Sequence, residues 1–216
     1  MPPNPEETRN RLISAAERLF AERGVDAVSL REINAAAGQR NNTALQYHFG
    51  DRAALVRAVL GRHQPGVEAA RHRLLDAYEA GAGDPGEAGG RGPGDARREL
   101  AGALVRPAAA KLGDPEGGRD YLRILGQLVA RPEPAVPRDS MQRWRELVEP
   151  WLPDGAARLH QRFMAVRVTY AELARRALLP PGGDERLFTS HLVDVVAAVL
   201  AAEVSQETAL LLAERD

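Results

Sequence analysis

Cysteine is missing from all 216 residues. That excludes a disulfide scaffold, a thiolate metal site and a cysteine nucleophile, and it suits a reducing compartment. Lysine is nearly missing too, with Lys111 alone among many arginines. Together with the Ala, Gly and Pro bias, this reads as coding bias and not as a site. Neither sign of charge dominates. The formal net charge is −1, and residues 1–50 set six arginines against six acids. A basic footprint must therefore come from placement, not from bulk charge. No apolar run approaches the roughly 20 residues that span a bilayer. The N-terminal MPPNPEETRN has no apolar signal core, so we expect a cytoplasmic protein without a membrane partner. Strand signals are essentially missing as well.

The histidines His48, His63, His72, His160 and His191 are scattered. They form no H-E-x-x-H or E-x-x-H pair, and no nucleophile elbow is present. Residues 81–95, GAGDPGEAGGRGPGD, are glycine-rich but lack G-x-x-x-x-G-K-[ST] and a flanking strand. We read them as a flexible loop. The expected protein is not an enzyme and uses no catalytic residue, metal or cofactor.

What is present is helical periodicity. Leu12, Ile13, Ala16, Leu19 and Phe20 mark a helix over about 6–23, with Gly24 as its stop. Ser29 followed by Glu32 is a capping-box pair opening a short helix over 30–37. After the turn Gly38–Asn42, a second short helix runs over about 43–49, with Leu45 and Phe49 four apart. Short helix, glycine turn, short helix is helix-turn-helix grammar. Asp51 caps a fourth helix, which Pro65-Gly66 should break. Helical patterns then cover about 67–78, 96–112, 115–131, 139–151, 156–179 and 184–213. The spacing predicts an all-α chain of about nine helices. We expect its N-terminal three-helix head (1–50) to read DNA and the remaining helical domain (51–216) to control it; the resemblance given next implies that this domain binds an effector and dimerises.

Residues 8–60, TRNRLISAAERLFAERGVDAVSLREINAAAGQRNNTALQYHFGDRAALVRAVL, resemble the tetracycline-repressor-like (TetR) family of bacterial regulators. The C-terminal part matches only in helix count and in its apolar final pair. The resemblance implies a homodimer, all helical, with a variable effector domain. Two departures stand out. The span from Gly38 to His48 is one residue longer than the family pattern, and Gln46 stands at the family's tyrosine position with Tyr47 following.

A reading helix presents short donors and acceptors to base edges and binds phosphates at its ends. Arg40, Asn41, Asn42, Thr43 and Gln46 are candidates for the first task, with Arg40 equally suited to a phosphate, and Ser29, Tyr47, His48 and Arg52 for the second. Asn41 and Asn42 also suit the turn itself, and His48 also suits packing or capping.

The family resemblance implies a pocket for a largely apolar small molecule. Its candidate residues are Pro107, Tyr121, Arg123, Leu125, Trp144, Trp151, Phe163, Met164 and Arg167, with an ordinary core as the other reading. The last helices are apolar on several sides and need neighbours on several sides. Leu159, Phe163, Val166, Tyr170 and Leu173, with Leu187, Phe188, His191, Leu192, Val195 and Val199, are the candidate dimer interface. The expected activity is repression at a pseudo-palindromic operator in double-stranded DNA, relieved by the effector. A transcriptional activator, or a ligand-binding or scaffold protein that no longer reads DNA, is the alternative.

Overall fold

A computed structural model describes residues 4–39, 44–81, 92–131, 139–155 and 160–214. Among these residues the chain is all helical. The helices are α1 (Pro5–Arg23), α2 (Leu30–Ala36), α3 (Ala44–Phe49), α4 (Arg52–Leu60), α5 (Gln64–Ala80), α6 (Pro93–Ala109), α7 (Gly118–Val129), α8 (Asp139–Val148), α9 (Gln161–Leu178), α10 (Glu185–Ala201) and α11 (Gln206–Ala213). Short 3-10 turns follow α6 and α8. Most of the glycine-rich loop, the proline-rich connection at 132–138, Leu159, and Arg40 to Thr43 lie outside the described residues.

Among the described residues there are eleven helices where about nine were expected, and local features move one break and add another. The chain breaks after α4 at Gly61–His63 and not at Pro65-Gly66. Pro65 instead sits in the first turn of α5, where a missing N–H forfeits no helical bond. The long final helix also divides. Ser205 Oγ accepts a bond from the Thr208 N–H at 3.3 Å and starts a new helix, so that α11 is bent 50° from α10. Residues 93–95, expected in the loop, form the first turn of α6. Among the described residues no single helix is long and apolar enough to cross a membrane.

The head forms as its periodicity requires. Leu12, Ile13, Ala16 and Phe20 of α1 are buried against Ile33 of α2, Leu45 of α3 and Leu55 and Val59 of α4. Asn4 caps α1 through its side chain. Behind the head, α7 is central, packing on α1 at one side and on α9 at the other. The α7–α9 crossing is close because Gly126 faces Ala174. A Cβ at Gly126 would lie 2.5 Å from the Ala174 Cβ, so a larger residue would force the helices apart. Helices α5, α6, α8 and α10 complete the bundle.

The expected capping box of α2 is complete. The Ser29 hydroxyl accepts from the Glu32 N–H (3.2 Å) and donates to Glu32 Oε2 (2.7 Å), while the Ser29 N–H donates to the same oxygen (2.8 Å). Those Ser29 donors, with Arg23 at 2.7 Å, hold the Glu32 carboxyl down from 4.5 to about 2. A carboxyl with a lowered folded pKa contributes stability that is present above its unfolded pKa and lost as pH falls through the folded one. The stability difference between the native chain and Glu32→Gln should therefore be constant above about pH 5. It should shrink steadily from pH 4.5 towards 2. Denaturant titrations across that range check this, and a difference independent of pH would contradict it.

Candidate functional site

The second helix of the helix-turn-helix, α3, sorts its side chains sharply. Leu45 points into the head core, 2% exposed. Phe49 is half-buried with the Arg9 guanidinium 5.3 Å from its ring centre. Gln46 is exposed, and Tyr47 is 82% exposed. A tyrosine this open, on a helix whose other side is anchored, presents its phenol outward for a partner. His48 is half-buried and stands edge-on to the Tyr47 ring at 5.1 Å, which restricts that ring. Between α1 and the end of α2, residues Glu7, Asn10, Arg11, Ser14 and Arg18 with Ala36 and Ala37 line an open groove of about 570 Å³.

Two expected phosphate contacts are otherwise employed. The Arg52 guanidinium donates from Nη1 to the Val25 carbonyl and from Nη2 to the Val28 carbonyl, both at 2.6 Å. It ties the start of α4 to the loop between α1 and α2, and lies 6.0 Å from the Phe20 ring. That loop has carbonyls outside any helix ladder, and a fixed cation is their partner. Arg52 is thus a staple of the head. The Ser29 hydroxyl proton likewise goes to Glu32, inside the cap.

The head meets the rest of the chain at a buried carboxylate. Glu17 of α1 is 4% exposed. Its Oε1 lies 2.6 Å from His63 Nε2 and its Oε2 accepts from Arg62 Nη1 at 2.7 Å. His63 reaches on to Asp114, at 3.8 Å, and to the Tyr121 ring, at 4.9 Å. Asp114 is itself held below the usual carboxylate range by Lys111 and the Glu116 N–H. Gly117, at φ +94°, lies against the Glu17 carboxyl, a close approach in a left-handed conformation that only glycine accepts freely. Farther along α7, the Gln127 amide donates to the Phe20 carbonyl (3.2 Å) and accepts from the Val25 N–H (2.9 Å). Arg131 pairs with Asp26 at 2.7 Å.

The expected effector residues divide. Pro107, Tyr121, Leu125 and Trp144 are buried together in the core. The Trp144 indole donates to the Leu100 carbonyl at 2.8 Å. Trp151 is half-buried and donates to the Tyr78 hydroxyl at 2.6 Å. Arg123 is occupied by Asp120 at 3.4 Å. Met164 and Arg167 are exposed, with Arg167 over the Phe163 ring at 4.7 Å. Since α9 turns Ala165, Val166, Thr169, Tyr170 and Leu173 to the core, Met164 and Arg167 fall on its outer side and line no interior site.

Sequence reasoning missed the buried cation. Arg71 of α5 is 1% exposed. Its Nη1 donates to Glu68 Oε1 (3.1 Å) and to Ser140 Oγ (2.7 Å), and its Nη2 to the Tyr170 hydroxyl (3.3 Å). Glu68 Oε2 accepts the Ser140 N–H at 3.0 Å. Burial pushes the Tyr121 phenol far above its usual range, so it stays neutral. The signal was the stripe itself: Val67, Arg71, Leu75 and Tyr78 are the buried positions of α5, which puts an arginine in a core register.

The dimer candidates divide by the same burial argument. Val166, Tyr170, Leu173 and Leu192 are at most 4% exposed within the single chain. They are consumed by the α7–α9–α10 core, which corrects their assignment to an interface. Leu187 is 68% exposed, His191 is exposed, and Phe188, Val195 and Val199 are half-buried. Leu187, His191, Val195 and Val199 recur every fourth residue and form an outward stripe on α10.

Comparison with known proteins agrees with this geometry. Residues 12–59 match the family described as bacterial regulatory proteins, tetR family. Those residues belong to the tetR family. Beyond those residues the likeness is one of fold, to solved structures that cover most of the chain. The HlyIIR mutant structure superposes with TM-score 0.53 at 14% identity, covering 94% of this chain and 100% of that one. Native NalD of Pseudomonas aeruginosa, the secondary repressor of the MexAB-OprM multidrug efflux pump, gives 0.50 at 24% identity, covering 92% and 98%. AmtR of Mycobacterium smegmatis gives 0.50 at 20%, covering 96% and 93%. No curated protein matches the chain.

The staple role of Arg52 has a measurable consequence. Arg52→Ala removes two charge-assisted bonds from loop carbonyls and should cost about 2–3 kcal/mol of stability. Arg52→Lys should recover only part of this, since an ammonium cannot span both carbonyls as a planar fork does. Urea unfolding of the two variants checks it. An Arg52→Ala protein of native stability would return Arg52 to the list of phosphate contacts.

Proposed function

We propose that the chain is a homodimeric transcriptional repressor that binds a pseudo-palindromic operator and is released by a small molecule bound in its C-terminal helical domain. The observation that carries this reading is the outward Gln46–Tyr47 pair on α3 of a tetR-family head whose inward side is fully anchored. In the major groove Gln46 offers an amide to adenine, and Tyr47 contributes a hydroxyl to the phosphate backbone. Arg40, Asn41, Asn42 and Thr43, at the preceding turn, complete the reading surface in this proposal. Residues 1–50 act as the reading head and 51–216 as its control domain.

One head makes few contacts. Two heads on a twofold axis read half-sites about one helical turn apart, or somewhat more. The outward stripe of α10 supplies the twofold contact, with Phe163 of α9 as a further candidate. A second copy would cover side chains that a single chain leaves in water. Release follows if the ligand favours a separation of the heads that no longer fits the operator.

Two measurements bear on this. Gln46→Ala should change base preference at one operator position by about 1–3 kcal/mol, whereas Tyr47→Phe should weaken binding to all sequences alike. A fluorescence titration of operator variants against salt separates the two effects, and no salt-dependent binding to the DNA flanking its own gene would remove the reading. Leu187→Glu combined with Val195→Glu should yield folded monomers in sedimentation. Leu187 is too exposed for its charge to unfold the chain, so persisting dimers would exclude the α10 stripe.

A further inference from the structure

The control core contains a buried cation whose hydrogen bonds are incomplete in a specific direction. A guanidinium has five N–H donors, arranged as a planar fork. In Arg71 the Nη1 side is taken by Glu68 and Ser140. Nε is buried without a hydrogen-bond partner among the described residues. Its neighbour Nη2 has one long bond, 3.3 Å, to the Tyr170 hydroxyl. The edge formed by Nε and Nη2 is the edge that grips a carboxylate through two parallel bonds. Glu68 does not use it, because it approaches Nη1 alone. Arginine left in this state inside a helix bundle is costly, and Leu or Met at position 71 would fill the same stripe without that cost.

We propose that the Nε–Nη2 edge of Arg71 is the anchor for the effector, and that the effector is a carboxylic acid with an aromatic or aliphatic body. This rests on the effector-controlled reading above and names its ligand class. The groups around Arg71 suit such a ligand. Tyr170 turns its hydroxyl towards the guanidinium, and Ser140 and Glu68 fix the guanidinium plane from the other side. Tyr121, Leu125 and Trp144 in the same core supply the apolar surroundings that strengthen a charge-assisted bond. Placement also connects the site to the head. Tyr121 stands near Tyr170 and Arg71 and lies 4.9 Å, ring to ring, from His63. His63 holds Glu17 of α1. A carboxylate that draws Arg71 or Tyr170 out of its present position therefore displaces groups packed directly on the joint.

The test uses the full chain without DNA, so that its outcome is independent of operator binding. Benzoate, phenylacetate and octanoate are titrated by calorimetry and thermal shift, each against its neutral amide. The acids should bind and raise the melting temperature where the amides do not. Arg71→Met, checked for helical content by circular dichroism, should lose this discrimination. Glu68→Gln gives the decisive reading. It removes the internal negative charge that offsets Arg71 from the Nη1 side while keeping an acceptor for the Ser140 N–H. Acids should then bind about tenfold more tightly than to the native chain. If Arg71 and Glu68 are only an internal cross-link, Glu68→Gln simply lowers stability. In that case no acid outbinds its amide in either protein, and that result overturns the proposal. Acid binding that depends on Arg71 in a chain that fails to bind DNA would support the site and remove the repressor reading instead.

Discussion

A carboxylate that is only 4% exposed must be paired, because an ionised oxygen stripped of water costs several kcal/mol unless donors replace the water. Glu17 meets that requirement with two residues from the break between α4 and α5, His63 and Arg62. Much of the arrangement follows. The first helix of the head is held at one register against the α4–α5 break. The α4–α5 break falls at Gly61–His63 because those residues are needed as partners. The turn before α7 must place a glycine against the same carboxyl. Gln127 and Arg131 then tie the α1–α2 loop to the far end of α7. The head is consequently not a bead on a linker. It is fastened at the α4–α5 break and again at the far end of α7.

That helix occupies the position from which control is physically simple. One side of α7 carries the fastening to α1, and another packs on α9 closely enough that Gly126 is required. Tyr121 of α7 stands between the Glu17 joint and the Arg71 cluster. Packed interiors shift by changing between discrete arrangements and do not deform smoothly. Under the proposed effector control, a displacement of the Tyr121 surroundings would pass to α1 as a movement of the head.

The head was largely legible in the sequence because its signals are local. Periodicity placed α1 and α2 to within a residue, and the Ser29–Glu32 pair announced a cap that the structure shows in full. Leu45 and Phe49 were rightly separated from Gln46 and Tyr47, since a helix repeat alone decides which side each takes. The carbonyl partners of Arg52 were not legible, for the opposite reason. An arginine at a helix start looks the same in sequence whether it meets a phosphate or a pair of carbonyls twenty-odd residues away. Arg71 was missed because α5 has two adjacent stripes. Val67, Ala70, Leu74 and Tyr78 form one, whereas the buried set is Val67, Arg71, Leu75 and Tyr78. Only packing against α6 and α8 selects between them.

The sequence by itself determined the helix content, the helix-turn-helix head and the apolarity of the last helices. These depend on propensity, caps and a repeat of 3.6 residues, all carried within a few positions. The tertiary structure alone decided which apolar residues are spent inside one chain. Val166, Tyr170, Leu173 and Leu192 go to the core, while Leu187 and His191 stay outside. It alone also brought Glu17 to His63, and Arg71 to Ser140 and Tyr170, across separations of 46 to 99 residues. No local rule specifies such meetings, because a buried charge takes its partner from whichever helix packing brings within reach.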